Sequence, residues 1–195
     1  QKDILIIKDP EQKYSVVNIL AQEQDYHARE TVGEMRRLYA ADIAASIINQ
    51  RLDEITNTPD AAWLAAGVGE MSYTNLTHHY YLGVVPKEGM FTEALKKFFD
   101  EYDRLKAFGV TESELKRMKE NFINSAETAY ANKDKSTSDY RASLIINYVN
   151  SYGKVPVGDD EYHDMVIGFL PEITVQEVND VIRSLFPERG SKFIV

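Results

Sequence analysis

Cysteine is absent from this sequence of 195 residues. Its absence excludes disulfide bonds, thiolate zinc sites and cysteine nucleophiles. It does not fix the cellular compartment, because exported and cytosolic proteins can both dispense with cysteine. Long apolar runs are also missing, since no stretch approaches the roughly 20 residues that a membrane-spanning helix needs. We therefore expect no segment embedded in a membrane.

Basic clusters are scarce as well. Lys and Arg number 22 against 31 Asp and Glu, which gives a formal net charge of −9 and a pI of about 5.0. Such a surface repels phosphate backbones, and no stretch interleaves basic with aromatic residues, so we expect no nucleic-acid partner. The sequence also lacks a Gly-x-Ser-x-Gly elbow, a phosphate-binding glycine loop and a dinucleotide fingerprint, and none of those chemistries is indicated.

What is present is typical of a globular chain. With 44% hydrophobic and 27% charged residues, its size and composition suit one domain, and we expect residues 1–195 to form a single one. The sequence begins at Gln1 without a basic and apolar leader, which favours a fragment of a longer chain. A mature protein after leader removal is the alternative.

The pattern of β-strands appears in residues 4–7, 14–21, 63–73, 77–85 and 192–195. The first is a β-branched run closed by Asp9-Pro10, and the second is apolar without helical spacing. The third and fourth predict a hairpin that turns at Thr74-Asn75.

Helical spacing begins at Thr31, from which apolar residues recur at threes and fours through Ile55 and predict one long helix with a buried face. Further helices are predicted at residues 91–108, 112–130, 140–152, 162–170 and 174–185. Two of them start with capping boxes, Thr111-x-x-Glu114 and Thr174-x-x-Glu177. The predicted core face of the helix at 91–108 is heavily aromatic, and Gly109 is placed to end that helix in the left-handed conformation.

The predicted order of elements is therefore β-β-α-β-β-α-α-α-α-α-β. It cannot form a doubly wound parallel sheet, because that fold needs strands that alternate with helices. We predict an α+β fold in which an antiparallel sheet is covered on one face by several helices.

Histidine is the residue type that matters most for metal chemistry, and the sequence has four: His27, His78, His79 and His163. His27 and Glu30 occupy the first and fourth positions of the zinc-peptidase motif H-x-x-E-H, but Thr31 replaces the closing histidine. A threonine hydroxyl is a poor zinc ligand beside imidazole, so we expect this degenerate half-motif to hold no zinc.

The other histidines offer less. Neighbours in a strand point to opposite faces, so His78 and His79 are not expected to chelate one ion, and one should face solvent while the other packs. His163 lies among acidic residues at a helix start, where such acids complement the helix dipole more often than they bind metal. We predict no catalytic and no metal-binding residue in this segment.

Tyrosine is abundant, with 12 copies. Tyr73, Tyr80 and Tyr81 cluster in the predicted hairpin and are candidates for a substrate-binding face, because tyrosine offers contact area and one hydrogen-bonding group. Packing within the sheet is the alternative, since strands are enriched in tyrosine.

Four segments, taken in order and spacing, resemble a non-catalytic domain of the pitrilysin/insulinase family of zinc metallopeptidases. They are Asp9-Pro10-Glu11 and residues 47–55, 109–116 and 173–179. The resemblance implies a parent in which two α+β domains make one half of a clamshell and a second pair makes the other. Peptides are cut in the enclosed chamber, and the zinc lies in the first domain. This segment is similar to the second domain.

The resemblance implies a role as scaffold and chamber wall. The expected partners are the neighbouring catalytic domain, the second half in the same or a partner chain, and peptide substrates, with zinc in the upstream domain. It leaves two other functions open, a structural or partner subunit without peptidase activity and an independent peptide- or ligand-binding module. Export to a bacterial periplasm is one compartment that we consider.

Overall fold

The computed structural model describes residues 11, 15–23, 31–74, 77–185 and 192–194. Its strands are β1 (Val17–Glu23), β2 (Trp63–Thr74), β3 (Thr77–Pro86) and β4 (Lys192–Ile194). Its α-helices are α1 (Val32–Thr56), α2 (Phe91–Phe108), α3 (Glu112–Ala131), α4 (Ser138–Tyr152), α5 (Asp159–Phe169) and α6 (Val175–Leu185). Short 3-10 turns at Lys133–Lys135 and Leu170–Glu172 follow α3 and α5.

The described strands pair into one antiparallel sheet in the order β2-β3-β1-β4. The predicted α+β fold with an antiparallel sheet and several helices is confirmed. The second predicted strand is β1, which runs on to Glu23. The first predicted strand, at residues 4–7, and the turn residue Asn75 lie outside the described residues.

The long helix α1 supplies the centre of the core. Its apolar residues recur at helical spacing, and those buried are Leu38, Ala40, Ala41, Ile43, Ala44, Ile47, Ile48 and Leu52. The alanines let neighbouring backbone approach the helix closely, while the larger side chains fill the space against the sheet and α6. Val32, predicted on the same face, is exposed because it lies in the first turn, ahead of the buried stretch.

One side chain of α1 also completes the edge of the sheet. The Asn49 amide donates from Nδ2 to the Val68 carbonyl at 2.9 Å, and its Oδ1 accepts from the Val68 N–H at 2.8 Å. Because β2 lies at the end of the order of described strands, these two backbone groups have no described strand beside them. Asn49 thus satisfies both groups and holds α1 against the edge strand.

Both faces of the sheet contain buried residues. Residues that pair directly share a face, so Val68, Leu82 and Val84 point toward the helices and are buried. Leu20 and His79 point to the opposite face and are also buried, at 8% and 7% exposed. The prediction that helices cover one face of the sheet therefore explains the burial of Val68, Leu82 and Val84. It does not explain the burial of Leu20 and His79 on the opposite face.

The predicted aromatic core face of α2 is only partly correct. Phe98 and Tyr102 are buried, whereas the other aromatic residues of the helix, Phe91, Phe99 and Phe108, are exposed. Ala94, Phe98, Tyr102 and Leu105 recur at threes and fours and make up the buried face. Phenylalanines at the helix ends and flanks fall outside that narrow stripe.

Gly109 ends α2 with a φ of 72° and a ψ of −165°. The φ is positive as predicted, but the ψ is extended and lies in a region open almost exclusively to glycine. A Cβ at this position would also come within 2.6 Å of the Asn179 side chain. That side chain accepts a hydrogen bond from the Val110 N–H at 2.9 Å, so the α2–α3 connection is fixed against α6.

Candidate functional site

The residue that would close a zinc motif instead caps α1. The Thr31 hydroxyl oxygen accepts a hydrogen bond from the Glu34 N–H at 3.1 Å. Glu34 Oε2 accepts from the Thr31 N–H at 2.9 Å, which completes a capping box. This reciprocal pair satisfies free donors at the helix start. The chemical role of Thr31 is therefore to begin the helix.

The other two members of the half-motif, His27 and Glu30, lie outside the described residues. Within the part of the chain that the structure describes, no group of three or more His, Asp or Glu residues is placed to hold a metal ion. A threonine committed to a helix cap adds no ligand. The described residues do not fit a zinc site, and no step of hydrolysis can be assigned to them.

The candidate tyrosines do not form one face. Tyr80 and Tyr81 are successive residues of β3 and point to opposite faces of the sheet. Tyr80 is partly buried and packs against the core. The Tyr81 ring lies over its cross-strand partner, since a Cβ on Gly69 would come within 2.7 Å of Tyr81 Cε1. The side chain of Tyr73, near the end of β2, lies outside the described residues.

A small crevice lies where this hairpin meets the helices. It is lined by Ala41, Ala45, Val68, Gly69, Glu70, Tyr80, Tyr81 and Leu185. Its volume of about 10 Å³ is room for about one water molecule. No peptide side chain fits there, so the crevice offers no substrate pocket.

Of the paired histidines, the structure describes the side chain of His79 only. It is buried, at 7% exposed, on the face of the sheet opposite to Leu82. The side chain of His78 lies outside the described residues, and the expectation that the two do not chelate one ion stays a prediction.

His163 belongs to a cluster that joins the end of α3 to the start of α5. Its ring stacks on Tyr130 with centroids 4.1 Å apart, and its Nε2 lies 3.3 Å from Glu127 Oε2. Lys133 lies 3.9 Å from the centroid of the Tyr130 ring and pairs with Asp160. The hydrogen bond from Lys133 lowers the pKa of Asp160. Two acidic residues at this helix start, Asp159 and Asp160, are thus ion-paired, and the cluster joins α3 to α5.

Two arginines of α1 were not predicted to have a role. Arg51 donates from Nε to Glu114 Oε1 at 2.7 Å and from Nη2 to Oε2 at 2.8 Å. Arg36 does the same for Glu177, at 2.7 and 3.1 Å. Both glutamates close the capping boxes of their helices, at Thr111 and Thr174.

These contacts form what we call the two arginine clamps, Arg51–Glu114 and Arg36–Glu177. Bidentate pairs of this type are stronger and more specific in geometry than single hydrogen bonds. The hydrogen bonds from Arg51 lower the pKa of Glu114 to about 2, although burial opposes them. Those from Arg36 lower the pKa of Glu177 to about 2 in the same way. The sequence predicted both capping boxes, but it did not predict that an arginine of α1 binds the glutamate of each.

None of the helices among the described residues is long and apolar enough to pass through a membrane. This agrees with the lack of a long apolar run in the sequence.

Comparison with known proteins identifies the fold. No family model matches the sequence, and no curated protein matches it. The first half of the periplasmic protease PqqL from Escherichia coli aligns over 92% of this chain and 38% of its own, with 13% identity and a TM-score of 0.80. A predicted insulinase family protease from Yersinia pestis aligns over 94% and 40%, with 12% identity and a TM-score of 0.73.

A peptidase M16 inactive domain from Pseudomonas fluorescens also matches, over 92% of this chain and 39% of its own, with 14% identity and a TM-score of 0.61. The described chain thus has the fold of domains found in M16 and insulinase-family peptidases, inactive domains included. The predicted resemblance to this family is confirmed at the level of the fold. The chain spans 20% to 40% of the first structures that it matches.

Proposed function

We propose that this chain is a non-catalytic domain of a zinc-dependent metalloendopeptidase, in which it serves as scaffold and as part of the wall around the enclosed peptide. One observation carries the proposal. The fold matches an inactive M16 peptidase domain, and Thr31, at the position that would close H-x-x-E-H, is used to cap α1. The zinc and the general base then belong to the upstream domain of the parent.

The interior of the domain supports a scaffold role. The arginine clamps fix the starts of α3 and α6 to α1, and Asn49 fixes the edge strand β2 to the same helix. One helix therefore holds three elements by paired polar contacts in addition to its apolar face. Networks of satisfied polar contacts rigidify a fold, which is the property that a chamber wall needs.

The proposal includes the finer organisation expected from the resemblance. Residues 1–195 form one domain. The domain meets the catalytic domain and a second half in the same or a partner chain, and peptides are the substrates. Because PqqL is described as periplasmic, we extend the proposal to export in a bacterium. Of Tyr80 and Tyr81, only one can face the chamber.

The test uses the parent protein and measures zinc content together with peptide hydrolysis. The His27→Ala/Glu30→Ala double variant should keep both close to the parent's values, because the half-motif lacks a closing ligand. The matched control replaces the first histidine and the glutamate of the upstream H-x-x-E-H, and it should lose zinc and hydrolysis together. Loss of zinc from the His27/Glu30 variant would overturn the proposal.

The parent protein also tests the alternative function, that of a partner subunit without peptidase activity. An upstream domain whose motif is also degraded, in a folded parent that hydrolyses no peptide, would favour that function. Full hydrolysis after deletion of residues 1–195 would remove the scaffold role.

A further inference from the structure

Helix α4 is well formed but has almost no support from the rest of the described chain. It starts at Thr137, whose hydroxyl accepts from the Tyr140 N–H at 3.3 Å, and it ends at Gly153 with a φ of 66°. None of its described side chains is buried. Isolated helices of about this length are marginal in water, and helices in proteins gain most of their stability from packing. We therefore expect α4 to pack against a surface that lies outside the described residues.

The side chains of α4 show which face is to be covered. At about 100° per residue, Leu144, Ile145, Ile146, Tyr148 and Val149 fall within an arc of about 200°. Ser143, Asn147 and Asn150 fall on the opposite side. The apolar members are open to solvent, with Ile146 at 57% and Ile145 at 43% exposed. We call this arc the α4 apolar face.

Charge on α4 is confined to its first turn, where Asp139 and Arg141 lie. Residues 142–153 contain no charged side chain, in a chain whose charged content is 27%. The next apolar residues, Val155 and Val157, are exposed as well. Depletion of charge at the centre of an apolar patch is a property of stable interfaces between proteins, and patches of this kind mark interaction sites.

The C-terminal half of α3 has an uncharged surface of its own. An open depression of about 600 Å³ is lined by Asn121, Asn124, Ser125, Thr128, Ala129 and Asn132. Lys133 follows its last lining residue, and the Lys133 carbonyl accepts a hydrogen bond from Arg141 of α4. This hydrogen bond joins the segment after α3 to the first turn of α4.

We infer that the α4 apolar face docks against a companion domain of the same polypeptide, an inference that rests on the proposed function. The first structures matched by this chain extend well beyond it, since the chain covers 38% of the PqqL half and 40% of the Yersinia pestis protein. A peptide substrate would leave the face open to water between turnovers. A covalently linked domain covers it at all times and at high effective concentration.

The test compares two single-cysteine variants of the parent. Ile145→Cys places a thiol at the centre of the α4 apolar face, and Asn147→Cys places one on the opposite side of the same helix turn. Because residues 1–195 contain no cysteine, peptide mass spectrometry reads the labelling of each thiol by N-ethylmaleimide without interference. We expect Ile145→Cys to react at least about tenfold more slowly, with the difference lost in urea. Equal rates in the folded parent would overturn the inference.

Other occupants give other outcomes. Protection that appears only in a dimer would assign the face to a second copy of the chain, and protection that appears only with added peptide would assign it to substrate. Either result overturns the inference. Hydroxyl-radical footprinting of Leu144 and Tyr148 in the unmodified parent repeats the measurement without a substitution.

Neither measurement depends on catalysis. A parent without peptidase activity but with a protected face contradicts the proposed function and leaves this inference standing. A parent that hydrolyses peptides but leaves the α4 apolar face unprotected contradicts this inference and leaves the proposed function standing.

Discussion

Arg51 of α1 donates two hydrogen bonds to Glu114, the residue that also closes the capping box at the start of α3. A second carboxylate, that of Glu101 on α2, lies 3.6 Å from Arg51 Nη1. The side chain of Arg51 is only 14% exposed, that of Glu114 18% and that of Glu101 8%. Three helices therefore meet at charges that have largely left water and that depend on one another.

Loss of Arg51 should destabilise the domain strongly. We expect Arg51→Gln to lower the free energy of unfolding by about 2 to 4 kcal/mol, because it leaves the partly buried Glu114 carboxylate without its bidentate partner. Glu101 keeps its own bidentate pair with Arg104 in this variant. Urea unfolding measures the loss. Arg183→Gln is the matched control, since Arg183 is 49% exposed and pairs within its own helix with Asp180. The control should cost less than about 0.5 kcal/mol, and equal losses would show that the clamp is not structural.

The arginine clamps also predict how stability depends on pH. Glu114 and Glu177 have pKa values lowered from 4.5 to about 2 in the folded chain. The folded state therefore binds these protons less readily than the unfolded state does. The stabilisation is complete above the unfolded pKa and is lost as the pH falls through the folded pKa.

Urea midpoints at about pH 5 and about pH 2.5 test this dependence. We expect a lower midpoint at the acidic pH and a smaller drop in Arg51→Gln, which has already lost one clamp. Glu177 should contribute less than Glu114, because its side chain is 38% exposed and is better screened by solvent. An Arg51→Gln variant that drops as steeply as the unaltered chain would contradict the assignment to Glu114.

Two core positions predicted from helical spacing are buried, Leu52 on α1 and Phe98 on α2, each 1% exposed. We expect Leu52→Ala and Phe98→Ala each to lower the free energy of unfolding by about 2 to 5 kcal/mol. Phe108→Ala is the control from the same helix as Phe98, because Phe108 is 82% exposed. Thermal or urea unfolding that ranks Phe108→Ala with the other two would mean that the face of α2 is assigned wrongly.

Sequence periodicity was sufficient for most of the elements because the governing contacts are local. The capping boxes at Thr111 and Thr174 follow from residues three apart, and the buried face of α1 follows from spacings of three and four. The strand period of two separates His78 from His79. The same rule places Tyr80 and Tyr81 on opposite faces, and a role of Tyr73, Tyr80 or Tyr81 in substrate binding stays a prediction.

The features that were not predicted depend on partners distant in sequence. Arg51 and Glu114 are 63 residues apart, and Arg36 and Glu177 are 141 apart. Spacing within one helix cannot reveal such pairs. The sequence predicted a helix at residues 140–152, but it carried no information on which of its side chains other parts of the chain contact. The structure answers that point by leaving Ile145 and Ile146 exposed.

Asn49 offers a separate test of how the sheet edge is held. We expect Asn49→Ala to lower the free energy of unfolding by about 1 to 3 kcal/mol, because both backbone groups of Val68 lose their hydrogen-bond partner. Asn147→Ala, on the exposed polar side of α4, is the matched control and should be nearly neutral. Faster amide hydrogen exchange at Val68 in the first variant alone would locate the effect at the edge of β2.

Zinc binding by the chain itself provides the last prediction. A catalytic zinc typically has three protein ligands, and here the half-motif of His27 and Glu30 is followed by Thr31, whose hydroxyl caps α1. His79 is buried on one face of β3, and successive residues of a strand are expected to point to opposite faces. We expect residues 1–195, dialysed after exposure to zinc, to retain less than one zinc per chain and to hydrolyse no peptide. Elemental analysis and a peptide assay measure both, with the parent as the positive control. One tightly held zinc per chain, accompanied by hydrolysis that chelation abolishes, would show that this domain contains a complete site and that its assignment as non-catalytic is wrong.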